Sequence, residues 1–272
     1  MLVSRESMIE SVQNPKVKYV NRLRQRRFRD SEKRFLIEGY RELLRAEEGG
    51  VHVELLFVCP ELFLGKNEPR LIKIWEDKGA HIFPCTKNVF EKLSYRDRPD
   101  GLLGVAKHLS YSLADIQWEN SPFLLIAQSI EKPGNLGTIL RSSDASGVDA
   151  LIVCDRCTDI HNPNVVRASV GTLFTLPVIE TTSEELFPYL KSHSITSIAA
   201  TPSAEDEFTQ SDLTGPVAIL VGAEQYGLTE QWLKQADTCV RIPMCGKADS
   251  LNVATATTLL LYEVLRQRGR CA

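Results

Sequence analysis

The chain has 272 residues, 43% of them apolar and 25% charged, which is the composition of a globular protein with room for one large domain or two ordinary ones. Because no apolar run approaches the roughly 18 residues of a membrane span, and the first residues lack a signal-peptide pattern, we expect neither a transmembrane segment nor secretion. The seven scattered cysteines, an odd number, predict reduced thiols and a cytoplasmic location.

The charge is distributed unevenly along the chain. Between Lys16 and Arg34 there are nine Lys or Arg and two acidic residues, a formal +7, although the whole chain carries −3. A second basic group lies near the C-terminus: Arg266, Arg268 and Arg270. This asymmetry predicts a polyanionic partner, and the alternative is a solvated helix face. Tyr19 and Phe28, inside the first run, would either stack on bases or anchor the segment.

Residues 1–107 mix strand and helix patterns. The segment KRFLIEGYRELLRAEEGG predicts a strand followed by a helix that ends at Gly49 and Gly50, and VELLFVCP predicts a strand stopped by Pro60. The segment PRLIKIWEDKGAHIFPC predicts a helix, a glycine stop and a strand, and LSYRDRPDGLLGVAKH a basic loop leading into a strand. These patterns indicate a small α/β domain, and residues 108–122 indicate a linker.

Short apolar strands recur in the rest of the chain, residues 123–272. They are predicted at 123–127, 150–154, 176–180, 197–200, 217–221 and 239–243. Strands that alternate with helices indicate an α/β fold with a mainly parallel sheet and helices on both faces. In such sheets ligands bind outside the carboxyl ends of the strands, so the residues that follow each strand are candidates for a site.

Small and polar residues follow the first of these strands. Pro133 and Gly134 predict a turn, Asn135 is a natural helix N-cap, and Gly147 is a helix stop. Arg141 lies on the helix between them. The segment is neither G-x-G-x-x-G nor G-x-x-x-x-G-K-[ST], so a dinucleotide site, and with it an oxidoreductase, is disfavoured.

Two later strands end in a similar way. After 217–221, Gly222 and Ala223 permit close backbone approach, Glu224 follows, and Gly227 suits a positive φ before Thr229 caps a helix. After the strand ending near Pro243, a polar loop with Ser250 and Asn252 leads into a long apolar helix. Ser250 is either a helix cap or part of a site.

The segments EKPGNLGTILRSSDASG, ILVGAEQYGLTE and VRIPMCGKADSLNVATA resemble the three ordered motifs of the SpoU (TrmH-like) RNA 2′-O-ribose methyltransferases of the SPOUT superfamily. The resemblance covers about 150 residues, from Phe123 to the C-terminus. The N-terminal unit, with RFLIEGYRELLRA and PDGLLGVA, is similar to the L30e-like substrate-binding domain that precedes this catalytic domain in members that act on 23S rRNA.

The resemblance implies a C-terminal trefoil knot, a homodimer packed through that knot, and S-adenosylmethionine bound in it, with no metal. It implies the catalytic residues Asn135, Arg141, Glu224, Ser250 and Asn252. It places the cofactor against Thr201, Pro202, Val221, Gly222, Ala223, Glu224, Ile242, Pro243, Met244, Ser250, Leu251 and Val253. The RNA would contact Lys16, Lys18, Arg22, Arg24, Arg26, Arg27, Arg29, Arg96, Arg98 and Arg167.

The predicted function is therefore methylation of a ribose 2′-hydroxyl in RNA, with 23S rRNA favoured over tRNA. The alternative is a non-catalytic RNA-binding factor of ribosome assembly on the same fold. In the family the arginine that matches Arg141 is proposed as the base, but a guanidinium stays protonated, so stabilising the developing alkoxide is the easier role.

Other features favour structural explanations. The lone C-x-x-C of Cys154 and Cys157 has no second pair for a metal, and His161 reads as a loop or packing histidine. Arg167 would contact RNA or a second subunit. The run TLLLYEVL is typical of a core and dimer interface.

Overall fold

A computed structural model of the chain describes residues 8–116, 118, 121–155 and 158–269; Cys157 and Arg270 of the sequence analysis lie outside these ranges. The helices are α1 Pro15–Arg22, α2 Arg26–Glu32, α3 Tyr40–Glu48, α4 Glu68–Asp77, α5 Lys87–Leu93, α6 Pro133–Ser146, α7 Pro163–Ser169, α8 Ser183–Ser192, α9 Glu230–Gln235 and α10 Val253–Gln267. The strands are β1 Arg34–Glu38, β2 Val53–Val58, β3 His81–Pro84, β4 Leu102–Lys107, β5 Phe123–Gln128, β6 Ala150–Cys154, β7 Val178–Thr181, β8 Thr196–Ala200, β9 Asp206–Glu207, β10 Val217–Val221 and β11 Thr238–Arg241. None of the helices in the described ranges is long and apolar enough to cross a membrane.

Internal contacts divide the chain into two compact units. The first comprises residues 1–109 and 159–175, and the second comprises residues 110–158 and 176–272. The predicted catalytic domain, 123–272, includes residues 159–175, which by their contacts group with the first unit. The predicted boundaries at 107 and 122 stay predictions.

The first unit is built on a four-stranded sheet in the order β1-β4-β2-β3. β4 pairs antiparallel with both β1 and β2, and β2 pairs parallel with β3. Apolar side chains from these strands and from α1 and α5 form its core, among them Leu36, Phe57, Phe83 and Phe90. The predicted strands of this unit are present, and α1 and α2 fold from the basic segment that precedes β1.

A buried polar cluster lies in this unit. Arg29 is 1% exposed; its Nε donates to Asp159 Oδ2 at 3.0 Å, and its Nη1 donates to the carbonyl oxygens of Leu23 and Arg24 at 2.9 and 2.7 Å. Although burial raises the pKa of Asp159, the Arg29 guanidinium holds it below its usual range. Arg29 was predicted to contact RNA; the structure corrects this, because its guanidinium is enclosed and donates to Asp159, Leu23 and Arg24.

His161 belongs to the same cluster, as a packing histidine should. It is 3% exposed and stacks on His108 with ring centroids 3.9 Å apart. Its Nε2 accepts the backbone N–H of Leu109 at 3.0 Å. Burial lowers the pKa of His161 to about 3, so the ring is neutral at physiological pH.

The second unit is built on a seven-stranded sheet in the order β7-β6-β5-β10-β8-β11-β9, with every strand pair parallel. The six strands predicted for this part of the chain are all present, and the two-residue β9 is an addition. The α/β class with a mainly parallel sheet is confirmed. The trefoil knot stays a prediction.

The topology of this sheet determines where a ligand would bind. From β5 the chain proceeds outward through β6 to β7, then returns to build β8, β10 and β11 on the other side of β5. The strand order reverses at β5 and β10, and the carboxyl edge beside such a switch point is where α/β proteins bind ligands. α6 and α10 contact each other within the unit, and the hydroxyls of Ser142 and Thr258 join them at 2.7 Å.

Candidate active site

The loops that follow β5, β8, β10 and β11 lie at one edge of the second sheet, because parallel neighbours end on the same side. The backbone N–H of Thr201, after β8, donates to the carbonyl of Val240 in β11 at 2.9 Å. The predicted catalytic and cofactor residues end or follow these strands, or lie on α6 and at the start of α10.

The segment after β5 differs from the prediction in one respect. α6 begins at Pro133 with Lys132 as its N-cap, so Asn135 lies inside the first turn and is not the cap. Proline is favoured at the first helical position because its fixed φ suits the helix. An N–H at that position would have no acceptor within the helix, so the lack of one costs nothing. Gly147 ends the helix with φ 71°, as predicted.

The loop after β10 closes on itself. Ala223 and Gly227 exchange backbone hydrogen bonds of 3.1 and 2.9 Å, and Gly227 has the predicted positive φ, 66°. A Cβ on Gly222 would lie 2.1 Å from the carbonyl carbon of Gly227, so only glycine fits there. This tight closure fixes the backbone that carries Glu224.

Glu224 begins a chain of hydrogen bonds through the site. Asn135 Nδ2 donates to Glu224 Oε1 at 2.7 Å, and Asn252 Nδ2 donates to Asn135 Oδ1 at 3.2 Å. Asn252 Oδ1 then accepts the backbone N–H of Ala254 at 3.0 Å. Since a carboxylate only accepts hydrogen bonds, every donor in this series of hydrogen bonds points toward Glu224, and this fixes the orientation of both side-chain amides. Each amide keeps one N–H that bonds to nothing in the described part of the chain.

The charge of Glu224 is secure. Partial burial raises its pKa, but the Asn135 amide and the backbone N–H groups of Glu131 and Lys132, at 3.4 and 3.3 Å, outweigh burial and hold the pKa below its usual range. Glu224 is therefore an ionised acceptor at neutral pH, which suits an orienting role.

The start of α10 removes one of the two alternatives for Ser250. Asn252, with its side chain on the Ala254 N–H, is the N-cap, so Ser250 does not cap the helix. The loop before it is exposed from Cys245 to Asn252. Its backbone groups from Ile242 to Leu251 form no backbone–backbone hydrogen bond with any residue that the structure describes.

Arg141 and Ser250 stand apart from the hydrogen-bonded chain. Both are exposed, and neither side chain has a hydrogen bond or ion pair among the described residues. Arg141 thus presents an unpaired guanidinium on α6. The structure brings together Asn135, Glu224 and Asn252, and leaves Arg141 and Ser250 free.

Gln128, at the end of β5, was missed by sequence reasoning. It is 3% exposed, donates from Nε2 to Asp155 Oδ2 at 2.8 Å, and accepts the Thr229 N–H at 3.1 Å. It thereby ties together the segments after β5, β6 and β10. Its only sequence signal is a polar residue that ends an apolar strand.

The predicted RNA-contacting residues of the first unit differ in availability. Lys18, Arg27, Arg98 and Arg167 are exposed and unpaired within the described residues. Arg22 stacks on Phe28, 3.9 Å from the ring centroid, and Arg24 Nη2 donates to the carbonyls of Lys92, Leu93 and Ser94. Of the other four, Arg29 is buried as described above, Lys16 lies over the Phe83 ring, Arg26 pairs with Asp30, and Arg96 pairs with Glu42.

Comparison with known proteins identifies the class of protein to which this fold, with its site at the carboxyl edge of the second sheet, belongs. The SpoU rRNA Methylase family matches residues 122–262, and an MRM3-like substrate binding domain matches residues 14–104. The chain belongs to the SpoU rRNA methylase family, and the predicted family is confirmed.

Similarity extends along the whole chain. A 23S rRNA (uridine(2479)-2′-O)-methyltransferase of Streptomyces viridochromogenes is 31% identical over 88% of this chain and 85% of its own. The structure of an RNA 2′-O ribose methyltransferase is 40% identical, with a TM-score of 0.83 over 96% of this chain and 99% of that one. An AdoMet-bound rRNA methyltransferase from Sinorhizobium meliloti is 28% identical, with a TM-score of 0.88 over 96% and 97%.

Proposed function

We propose that this chain methylates a ribose 2′-hydroxyl of 23S rRNA, with S-adenosylmethionine as the methyl donor. The observation that carries the proposal is the hydrogen-bonded chain Glu224–Asn135–Asn252 at the carboxyl edge of the sheet. The family relationship supplies the reaction class. The activity that the relatives' names describe agrees with the chemistry of this edge.

The residues at this edge fit the donor. The loop from Ile242 to Leu251, exposed from Cys245 onward, offers backbone N–H and carbonyl groups that no described residue occupies, which suits an adenine held by main-chain groups. Thr201 and Pro202, Val221 to Glu224, and Val253 would complete its surroundings. When bound, the donor supplies a methyl group already activated by the positive charge of its sulfonium.

The chain's own contribution is to position the hydroxyl and stabilise the negative charge that forms on its oxygen. The free N–H groups of Asn135 and Asn252 and the guanidinium of Arg141 are hydrogen-bond donors suited to that oxygen. Arg141 stays protonated, and Glu224 has its carboxylate occupied, so neither is a good base. Water or an RNA phosphate would receive the proton.

RNA binding would fall to the first unit, with residues 1–107 as the RNA-binding domain, 108–122 as the linker and 123–272 as the catalytic domain. The exposed cations of α1 and α2 would bind phosphates and set position rather than sequence. The similarity of residues 14–104 to a substrate binding domain supports this assignment.

We also propose a cytoplasmic homodimer. Leu259 and Tyr262 on α10 are 42% and 45% exposed, and such apolar side chains on a helix that is otherwise packed are candidates for the interface. The predicted knot would place the site beside that interface.

The test is transfer of a tritiated methyl group from S-adenosylmethionine to total RNA, followed by mapping of methylated riboses in rRNA from cells with and without the protein. A new 2′-O-methyl in 23S rRNA supports the proposal. Label in tRNA alone would show that the substrate is tRNA and not 23S rRNA. No transfer to any RNA or ribosomal particle, with RNA binding intact, would indicate a non-catalytic assembly factor.

A further inference from the structure

A cavity of about 770 Å³ lies within the first unit, and all the residues that line it belong to that unit. It opens between the N-terminal end of α3, the loop before α4, the loop before β4 and helix α7. This volume lies within the range of about 300–1,000 Å³ that is typical of small-ligand pockets. The volume is therefore large enough for a ligand the size of a single nucleotide.

Exposed arginines dominate the charge of its rim. Arg41, Arg98 and Arg167 line the cavity, are exposed, and have no ion pair or side-chain hydrogen bond among the described residues. Asp97 is the exposed carboxylate that opposes them. Unpaired guanidiniums are planar donors whose geometry matches phosphate oxygens.

The fourth arginine is fixed in place. Arg96 Nη2 donates to the carbonyl oxygen of Glu38 at 2.5 Å and pairs with Glu42 Oε1 at 2.7 Å. Its Nε is buried and has no partner among the described residues. Arg96 therefore forms part of the wall, while the other three arginines stay available to an anion.

The wall also carries buried acceptors and an aromatic ring. Asp100 and Glu68 each use one carboxylate oxygen on a backbone N–H, of Tyr40 and Gly65, both at 2.7 Å. The second oxygen of each is buried and receives no hydrogen bond from the described residues. Buried acceptors of this kind are costly unless a ligand donates to them, and Tyr40 offers a ring to stack on.

We propose that this cavity receives one unpaired nucleotide of the RNA, with its phosphate on Arg41, Arg98 and Arg167 and its base against Tyr40 and the carboxylates. The inference rests on the proposed function, which makes RNA the substrate. It goes beyond that function, because the first unit would recognise an extruded nucleotide in addition to binding phosphates on its basic surface. Unpaired bases are what proteins recognise most readily in RNA.

The test measures binding of the full chain to a fluorescein-labelled single-stranded RNA dodecamer and to the same strand in a duplex, by anisotropy at several salt concentrations. The triple variant Arg41→Gln/Arg98→Gln/Arg167→Gln should bind the single strand about ten-fold more weakly. Its log–log salt slope should fall by about 2, because each lost phosphate contact removes about 0.7 for a single strand.

A second variant separates the base from the phosphate. Asn67 is exposed, lines the cavity and makes no capping bond, so Asn67→Trp should fill the space. It should weaken single-strand binding and leave the salt slope unchanged. Inorganic phosphate at millimolar concentration should compete poorly, whereas a ribonucleoside monophosphate at equal concentration should compete.

Arg45→Gln is the matched control. Arg45 is exposed on α3, the helix that also carries Arg41, but it pairs with Glu48 at 2.6 Å and does not line the cavity. Unchanged single-strand affinity in the triple variant at low salt, or a loss no larger than in Arg45→Gln, would overturn the proposal. A wild-type protein that binds RNA through this cavity without transferring methyl groups would refute the proposed function and leave this site standing.

Discussion

Glu224 determines which way the side-chain amide of Asn135 faces. The carboxylate accepts from Asn135 Nδ2 at 2.7 Å, so Oδ1 of that amide is the atom that receives Asn252. We predict that Glu224→Ala lowers the methyl-transfer rate by about 100-fold, because two amides lose their fixed orientation. Glu224→Gln keeps an acceptor oxygen, so its loss should be smaller, about ten-fold.

Single-turnover methylation at saturating donor measures this effect. Thermal unfolding of both variants serves as the control for folding. Equal rates in the Ala and Gln variants would show that the carboxylate acts in some other way than by orienting Asn135.

Arg141 acts through its guanidinium if the proposed mechanism is correct. Arg141→Ala should reduce the rate by about 100-fold to 1,000-fold, the usual effect of removing a donor from a developing oxyanion, with little change in donor affinity. Arg141→Lys should also be slow, because the planar fork is lost. The comparison requires methylation rates and calorimetric binding of S-adenosylmethionine. Near-normal turnover of the Lys variant would contradict the geometric part of the argument.

The cations of α1 and α2 should bind phosphates to different extents. Lys18 and Arg27 are exposed and unpaired within the described residues, and Arg26 has only a surface contact of 3.6 Å with Asp30. We expect Lys18→Glu/Arg26→Glu/Arg27→Glu to weaken RNA binding in a salt-dependent way and to leave donor binding intact.

Arg24 is left out of that variant, because it bonds the carbonyls at the C-terminal end of α5 and its loss would affect folding. Lys73→Glu on α4 provides a control charge reversal at an exposed residue. RNA affinity that is unchanged in low salt would rule out a phosphate-binding role for these helices.

Apart from the two-residue β9, the strands of both sheets could be predicted because each is a short apolar run bounded mostly by Gly, Pro or charged residues. The site could be predicted only in part. Asn135 and Asn252 contact each other across 117 positions of sequence, and no local pattern records that contact. Nine basic residues look alike in sequence between Lys16 and Arg34, yet Arg29 alone is buried. Its partner Asp159 lies 130 positions away, so the local sequence could not distinguish Arg29 from the others. Asn135 was misassigned as a cap because Pro133 begins the helix two residues earlier.

The buried pair His108 and His161 makes stability depend on pH. Nε2 of His161 accepts the Leu109 N–H, so a proton on Nε2 would set two donors against each other. Nδ1 lies 3.8 Å from Asp159 Oδ1, a carboxylate already bonded to Arg29. Burial, which outweighs the attraction of the Asp159 carboxylate, holds the pKa of His161 in the folded protein at about 3, whereas the unfolded chain takes up the proton near the ordinary value of about 6.5.

Because the unfolded state binds more protons in this window, stability falls as pH decreases below about 6.5, by up to about 1.4 kcal/mol per pH unit for one histidine. We predict that His161→Gln, which keeps an acceptor for Leu109 but does not titrate, flattens the dependence of the unfolding free energy between pH 7.5 and pH 5. Burial also lowers the pKa of His108, so a smaller slope should remain. Urea unfolding across this range decides the matter, with His52→Gln, an exposed site, as the control. Curves for the wild type and His161→Gln that stay parallel from pH 7.5 to 5 would contradict this prediction. They would mean that His161 is protonated equally in the folded and unfolded states, despite its enclosed position and its bond from Leu109.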